Sequence, residues 1–223
     1  MLFGLIPAVI LLRKCPSSEN TIVTARPLVH VWRATTGLGA MGLFFFSLSL
    51  LPLADAVALS FTKTFFLVIL AVPLLGERLS HSRLIATALG LIGVLVVLQP
   101  MGNYTDWVGP CLALGSALCF ALSMITVKKL STTDGTATIV LYYTSITALV
   151  SGISLYWSWE KPTLFALFLF VGLGAVGGTG QLLMTSAFLR APAVVVAPFT
   201  YSAIIWAVLF GFIFWGEYPQ PYS

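Results

Sequence analysis

The chain has 223 residues, of which 59% are hydrophobic and only 8% charged, with a mean hydropathy of +1.02. A water-facing domain is about 25% charged, so roughly a third of the charge of a soluble surface is present; a soluble, disordered or collagen-like protein is excluded. The net charge of +4, from 11 Lys+Arg against 7 Asp+Glu, is no mark of nucleic-acid binding, because in a membrane chain the placement of charges matters more than their sum.

A helix that crosses the hydrocarbon core needs about 20 mostly apolar residues. The first apolar run, 1–12, is too short to span alone and lacks the basic lead and cleavage site of a signal peptide. Runs then follow at 28–51, 56–75, 84–98, 107–127, 137–157, 164–189 and 193–215, the one at 84–98 short but uncharged. Turn chemistry separates them: Pro52, Gly76-Glu77-Arg78, Pro100 to Asp106, Asp134-Gly135, Pro162 and Pro192. Open strands would leave backbone groups without partners in lipid, and strand-like alternation is absent. The expectation is an all-α polytopic membrane helix bundle, with about seven full spans plus one partial.

If the first run ends in the cytoplasm, the inner loops hold Arg13, Lys14, Arg26, Arg33, Arg78, Arg83, Lys128, Lys129 and Arg190. Only Lys161 falls outside, and Lys63 lies within a span. That is the positive-inside bias, and it fixes the expected orientation.

An internal repeat accompanies this layout. Leu51-Pro52-Leu53-Ala54 is echoed by Ala191-Pro192-Ala193-Val194, and each copy runs through an apolar stretch to Gly76-Glu77 and Gly216-Glu217. The shared offset of 140 residues sets Ser60 against Thr200, Phe61 against Tyr201 and Thr62 against Ser202. It covers five spans, an odd number, so the two copies point opposite ways: an inverted-topology repeat, as in many secondary transporters. The division falls into residues 1–100 and 101–223. By the same offset, 1–12 corresponds to part of 137–157, while 107–127 and 84–98 lack counterparts. A ten-helix arrangement without its first and last helices is therefore expected.

The stretch GLFFFSLSLLPLADAVALSFTKTFFLVILAVPLLGERLSHSRLIATALGLIGVLVVLQP, residues 42–100, closely resembles an EamA-type domain of the drug/metabolite transporter superfamily. GPCLALGSALCFALSMITVKKL and residues 181–217 resemble the sixth helix and the eighth and ninth, and the Gly-Glu element ending each fourth helix is the most specific mark. The resemblance implies two inverted five-helix repeats, a central cavity near the midplane, and export or uptake of small metabolites. In such transporters the first helix helps line the cavity.

Lys63 is the most informative residue. It lies about 12 Å into its span at 1.5 Å per residue, where an ammonium costs about 2.5–3.5 kcal/mol, and no acidic residue falls within any expected span. Two readings stand: it snorkels or pairs structurally, or it faces a cavity and binds a carboxylate- or phosphate-bearing metabolite. Ser60 and Thr64 give its surroundings a polar character. Tyr201, with Thr200 and Ser202, is the counterpart in the second copy. Pro198 nearby frees a backbone carbonyl, so this segment is either a broken helix at a site or interhelical hydrogen-bonding glue.

Gly172, Gly174, Gly177, Gly178 and Gly180 precede Gln181. Gly174-x-x-x-Gly178 reads first as a close-packing face and second as a flexible wall; Gln181 suits either a ligand or a packing partner. Phe44, Phe45, Phe46, Phe61, Phe65 and Phe66 are lipid-facing or packed, or else line a cavity. Trp157 and Trp159 read as an interface belt, and Glu77 and Glu217 as structural residues capping backbone groups. Cys111 and Cys119 read as small packing residues, and Cys15 completes a set without metal or disulfide spacing. His30 and His81 have no carboxylate at ligand spacing. No hydrolase, nucleotide-binding or zinc-protease motif occurs.

No catalytic residue, metal or cofactor is therefore expected. The leading expectation is a secondary transporter of small organic metabolites by alternating access, multi-pass in a bacterial inner membrane. The candidate substrate-binding residues are Lys63, Ser60, Thr64, Phe61, Gln181, Tyr201 and Ser202. The partners are an anionic or zwitterionic metabolite and the lipid bilayer, with no nucleic acid and homo-oligomerisation left open. The alternative is a transport-inactive truncated remnant or a membrane scaffold.

Overall fold

The structure is a computed structural model that describes residues 4–14, 24–78, 80–98, 107–155 and 161–216. Among these every regular element is helical: α1 (Leu5–Lys14), α2 (Pro27–Leu48), α3 (Leu53–Ser60), α4 (Thr62–Leu75), α5 (His81–Leu98), α6 (Val108–Leu130), α7 (Thr136–Leu155), α8 (Leu164–Arg190), α9 (Ala193–Val196), a 3-10 turn (Ala197–Tyr201) and α10 (Ser202–Trp215). Among the described residues, five stretches are long and apolar enough to cross a membrane: Leu53–Leu75, Val108–Leu130, Thr136–Ile153, Leu164–Arg190 and Ala193–Phe214. α5 is apolar but shorter, and α2 has the length but carries His30 and Arg33 in its first two turns. The chain is a polytopic helical bundle. Cys15, Trp157, Trp159 and Glu217 lie outside the described residues.

Two physical demands of lipid are visible along the helices. Large apolar side chains cover the outside, with Leu164, Phe165 and Phe168 each more than 70% exposed. Polar hydroxyls are satisfied locally: Thr36 donates to Trp32 O, Ser47 to Phe44 O, Thr87 to Arg83 O and Thr144 to Val140 O. Bonding back to a carbonyl three or four residues earlier keeps a hydroxyl from standing open where water is absent.

The chain forms two compact units, residues 1–38 with 126–191 and residues 39–125 with 192–223. Compactness therefore cuts across the sequence division at residue 100, since each unit takes segments from both sides of it. In the first unit α1 packs on α7 and α8. A Cβ on Gly178 would lie 2.6 Å from Gly4 O, and one on Gly4 would lie 3.6 Å from Gly174 O. The Gly174/Gly178 face thus admits the start of α1 against backbone. In the second unit α3, α4, α5, α9, the 3-10 turn and α10 pack together. Phe44, Leu48 and Leu59 there surround the buried Leu51, Ala56 and Ala113.

The 140-residue repeat reappears in backbone geometry. Pro52 (φ −54, ψ 144) and Pro192 (φ −58, ψ 145) both serve as the N-cap of a helix. Gly76 and Gly216 both take a left-handed conformation, φ 68 and 66, and donate to Val72 O and Phe212 O. That is the glycine C-cap, which residues with a Cβ rarely adopt. Between these marks, α4 and α10 begin at Thr62 and Ser202, again 140 apart. The first copy keeps α3 as one regular helix, whereas the second breaks into α9 and a 3-10 turn. The cause is Pro198, which lacks an N–H and crowds the preceding turn; Ala58 stands at its place in the first copy.

Candidate functional site

The site is built in the second unit, where the irregular step at Phe61 meets the 3-10 turn. Phe61, between α3 and α4, is buried, and its ring stacks on that of Tyr201 at 6.0 Å between centroids and 25° between planes. These two rings are repeat mates. Tyr201 in turn lies against α5 at Gly90, where any Cβ would overlap its ring; glycine is required there for close approach. The Tyr201 hydroxyl is buried and has no hydrogen-bond partner among the described residues.

Beside this stack Thr64, 1% exposed, and Thr200 share a hydrogen bond of 2.7 Å. The Thr200 hydroxyl donates its proton to Ala197 O at 2.8 Å, so Thr64 is the donor in the pair. The bond therefore ties α4 to the 3-10 turn and fixes Tyr201 over Phe61.

Lys63 is half-buried. Its Nζ lies 5.2 Å from the centroid of Phe61 and 5.0 Å from that of Phe120. A desolvated cation over an aromatic face gains up to about 2 kcal/mol. Two faces therefore offset much of the insertion cost. They neutralise no charge, however, and among the described residues Lys63 forms no ion pair and no side-chain hydrogen bond. Phe120, on α6, is a partner that sequence reasoning missed, because the contact joins residues 57 apart with no shared periodicity.

One expectation is corrected. The span holding Lys63 begins at Leu53, so it does contain an acid, Asp55, 2% exposed in the first turn of α3. Asp55 precedes Lys63 by eight residues, about 12 Å along a helix.

The remaining candidates divide. The Ser60 hydroxyl donates to Val57 O at 2.7 Å, and that of Ser202 to Phe199 O at 2.7 Å; both serve their own helix backbone. Gln181 belongs to the first unit, where its Oε1 is buried with no partner among the described residues. Phe45 and Phe46 are exposed, 57% and 69%, and face outward, whereas Phe44 packs in the core. Cys111 is exposed rather than packed, and Cys119 is half-buried.

Glu77 has a sharper role than its position at a helix end implied. Its Oε1 accepts from Ala193 N–H at 2.7 Å and its Oε2 from Val194 N–H at 2.9 Å. Both donors are first-turn groups of α9 with no partner within the helix. The carboxylate thereby caps the segment that carries Thr200 and Tyr201. In the first unit Lys128 performs the converse task on α8, donating from Nζ to Phe188 O and Ala191 O at 2.8 Å each. An anion at a helix start and a cation at a helix end both complement the macrodipole.

Comparison with known proteins agrees with this architecture. The sequence pattern of the EamA-like transporter family matches residues 1–99 and 107–223. The chain is 29% identical to the S-adenosylmethionine uptake transporter of Rickettsia bellii over 202 residues, 91% of this chain and 69% of that protein. It is 31% identical to the pseudopaline exporter CntI of Pseudomonas aeruginosa, covering 82% of this chain and 66% of that one. It is 32% identical to the riboflavin transporter of Rhizobium johnstonii, covering 86% and 65%. A solved crystal structure superposes with a TM-score of 0.66 over 98% of this chain and 89% of its own, at 18% identity, which supports the fold alone. Family match, helical bundle and apolar spans agree: the chain is a multi-pass integral membrane protein and belongs to the EamA-like transporter family.

Proposed function

We propose that the chain moves a small carboxylate-bearing metabolite, zwitterionic or anionic, across a bacterial inner membrane by alternating access between its two inverted repeats. The observation that carries this reading is the Lys63 ammonium, deep in a span, cradled by Phe61 and Phe120 and with no acid paired to it among the described residues. A ligand carboxylate supplies the missing acceptor and charge. Burial makes that pair strong, since a charge-assisted bond gains about twice a neutral one. The open Tyr201 hydroxyl offers a second polar contact, and the Phe61–Tyr201 stack offers an aromatic face for a planar ring. No bond is made or broken in the carried molecule.

The names of the relatives suggest probes that separate charge from ring. S-adenosylmethionine carries both a carboxylate and a heteroaromatic ring; riboflavin carries the ring without a carboxylate. In proteoliposomes Lys63→Ala is expected to reduce S-adenosylmethionine uptake about tenfold or more, a loss of about 1.4 kcal/mol or greater, while riboflavin uptake changes little. Equal retention of both by Lys63→Ala would remove Lys63 from the site. Absence of uptake of either by the parent chain would remove the proposal.

A further inference from the structure

The rings that hold Lys63 are a cation site in their own right. Phe61 stands at the step between α3 and α4 and Phe120 on α6, and both face one ammonium, at 5.2 and 5.0 Å from their centroids. A ring face attracts a ligand's cation as well as a side chain's within about 6 Å of its centroid. Phe61 is firmly held, 8% exposed and stacked on Tyr201, which in turn fills the space that Gly90 leaves open. Its occupant is the movable part: a lysine carries a compact charge on a flexible four-carbon stem.

The acids described in this unit are placed for other tasks. Glu77 commits both carboxylate oxygens to the first turn of α9. Asp55 is 2% exposed in the first turn of α3, eight residues before Lys63. Beside Lys63, the groups shown to hold a cation are therefore aromatic.

We propose that Phe61 and Phe120 form an exchange site for cations. Lys63 fills it in the empty protein, and the cationic group of a ligand takes it over as the ligand's carboxylate draws Lys63 away. This deepens the proposed function and rests on its reading of Lys63. The exchange sorts ligands by charge pattern. A ligand with both charges replaces each contact that it breaks: Lys63 gains a carboxylate and the rings regain a cation. A ligand with a carboxylate alone leaves the rings without a cation. A ligand with a cation alone displaces the Lys63 ammonium and offers it no partner, which is costly within a membrane span.

Loss of the Phe120 ring then has a signature that loss of packing lacks. Lys63 loses a ring face in the empty state, and the ligand's cation loses the same face in the bound state. For a ligand with both charges the two losses offset. A ligand with only a carboxylate no longer breaks a ring contact on binding, so its affinity rises.

Three probes binding to the full chain in nanodiscs, followed by calorimetric titration, test this. S-adenosylmethionine carries a carboxylate and cationic groups, decarboxylated S-adenosylmethionine the cationic groups alone, and N-acetyl-S-adenosylhomocysteine the carboxylate alone. The parent chain is expected to favour the first over each of the others by about tenfold or more, a difference of about 1.4 kcal/mol. Phe120→Leu should reduce the preference over the N-acetyl compound about fivefold, the scale of one partly desolvated cation–ring contact, and leave the preference over the decarboxylated compound unchanged. Phe120→Tyr keeps the ring and should keep both preferences. Lys63→Ala should give the converse of Phe120→Leu, reducing the preference over the decarboxylated compound. Where Phe120→Leu does not fold, Phe120→Met carries the same expectation. Equal weakening of all three probes by Phe120→Leu, or preferences that it leaves unmoved, overturns the exchange alone. A parent chain that binds none of the three, or that shows no preference lost in Lys63→Ala, overturns the reading of Lys63 and the exchange with it.

Discussion

At the scale of single residues, the asymmetry between the two copies is as informative as their likeness. The repeat mate of Lys63 is Ala203 and that of Thr64 is Ile204, so one copy brings a cation and a buried hydroxyl where the other is apolar. Gly90 is the second sensitive position, since it leaves room for the Tyr201 ring. Gly90→Val must push that ring off Phe61 or shift α5. Overpacking of this kind costs about 1–3 kcal/mol. The expected outcome is a lower Tm in detergent together with lost S-adenosylmethionine uptake; the exposed Gly93→Val, with open space around its Cα, is the control that should retain both. Lys63 was conspicuous in the sequence because a charge inside an apolar run has few explanations. Phe120 and Gly90 were not, because an aromatic or a glycine in a membrane helix has many.

Among the elements, the weakest by length is α9, four residues held at its start by Glu77. A single turn has almost no intrinsic stability, since nucleation fixes several residues for one hydrogen bond. Its persistence here depends on the carboxylate that accepts two first-turn N–H groups. Glu77→Gln retains the size and one acceptor oxygen but loses the charge and the second acceptor. The expected loss is about 1–2 kcal/mol, within the range for hydrogen bonds to charged groups, read as a fall in Tm. Because α9 leads into the turn bearing Thr200 and Tyr201, KM for S-adenosylmethionine should rise as well. An unchanged Tm and KM would show that the cap is dispensable. The sequence marked Glu77 by its place after the glycine stop, but its partner lies 116 residues away and no local pattern names it. The break after Val196, by contrast, was readable from Pro198 alone.

For the whole molecule, composition and apolar runs carried most of the architecture. The expected runs and the observed helices coincide to within a few residues, because the length needed to cross a bilayer leaves little freedom. Side-chain pairing between distant helices was not readable. His30 had no carboxylate near it in sequence, yet Asp134 is 3.5 Å away in space, and Arg33, first counted among loop charges, lies buried in α2. Orientation is the property that the charge bias predicts most directly. Single cysteines replacing Glu77 and Glu217 in a background without native cysteines should label from opposite faces, residue 77 from the cytoplasm. Labelling of both from one face would end the inverted arrangement.

The stacked rings of Phe61 and Tyr201 are each other's equivalents under the duplication. A phenylalanine and a tyrosine at equivalent positions share the ring and differ by one buried hydroxyl, so the pair is symmetric in shape and one-sided in polarity.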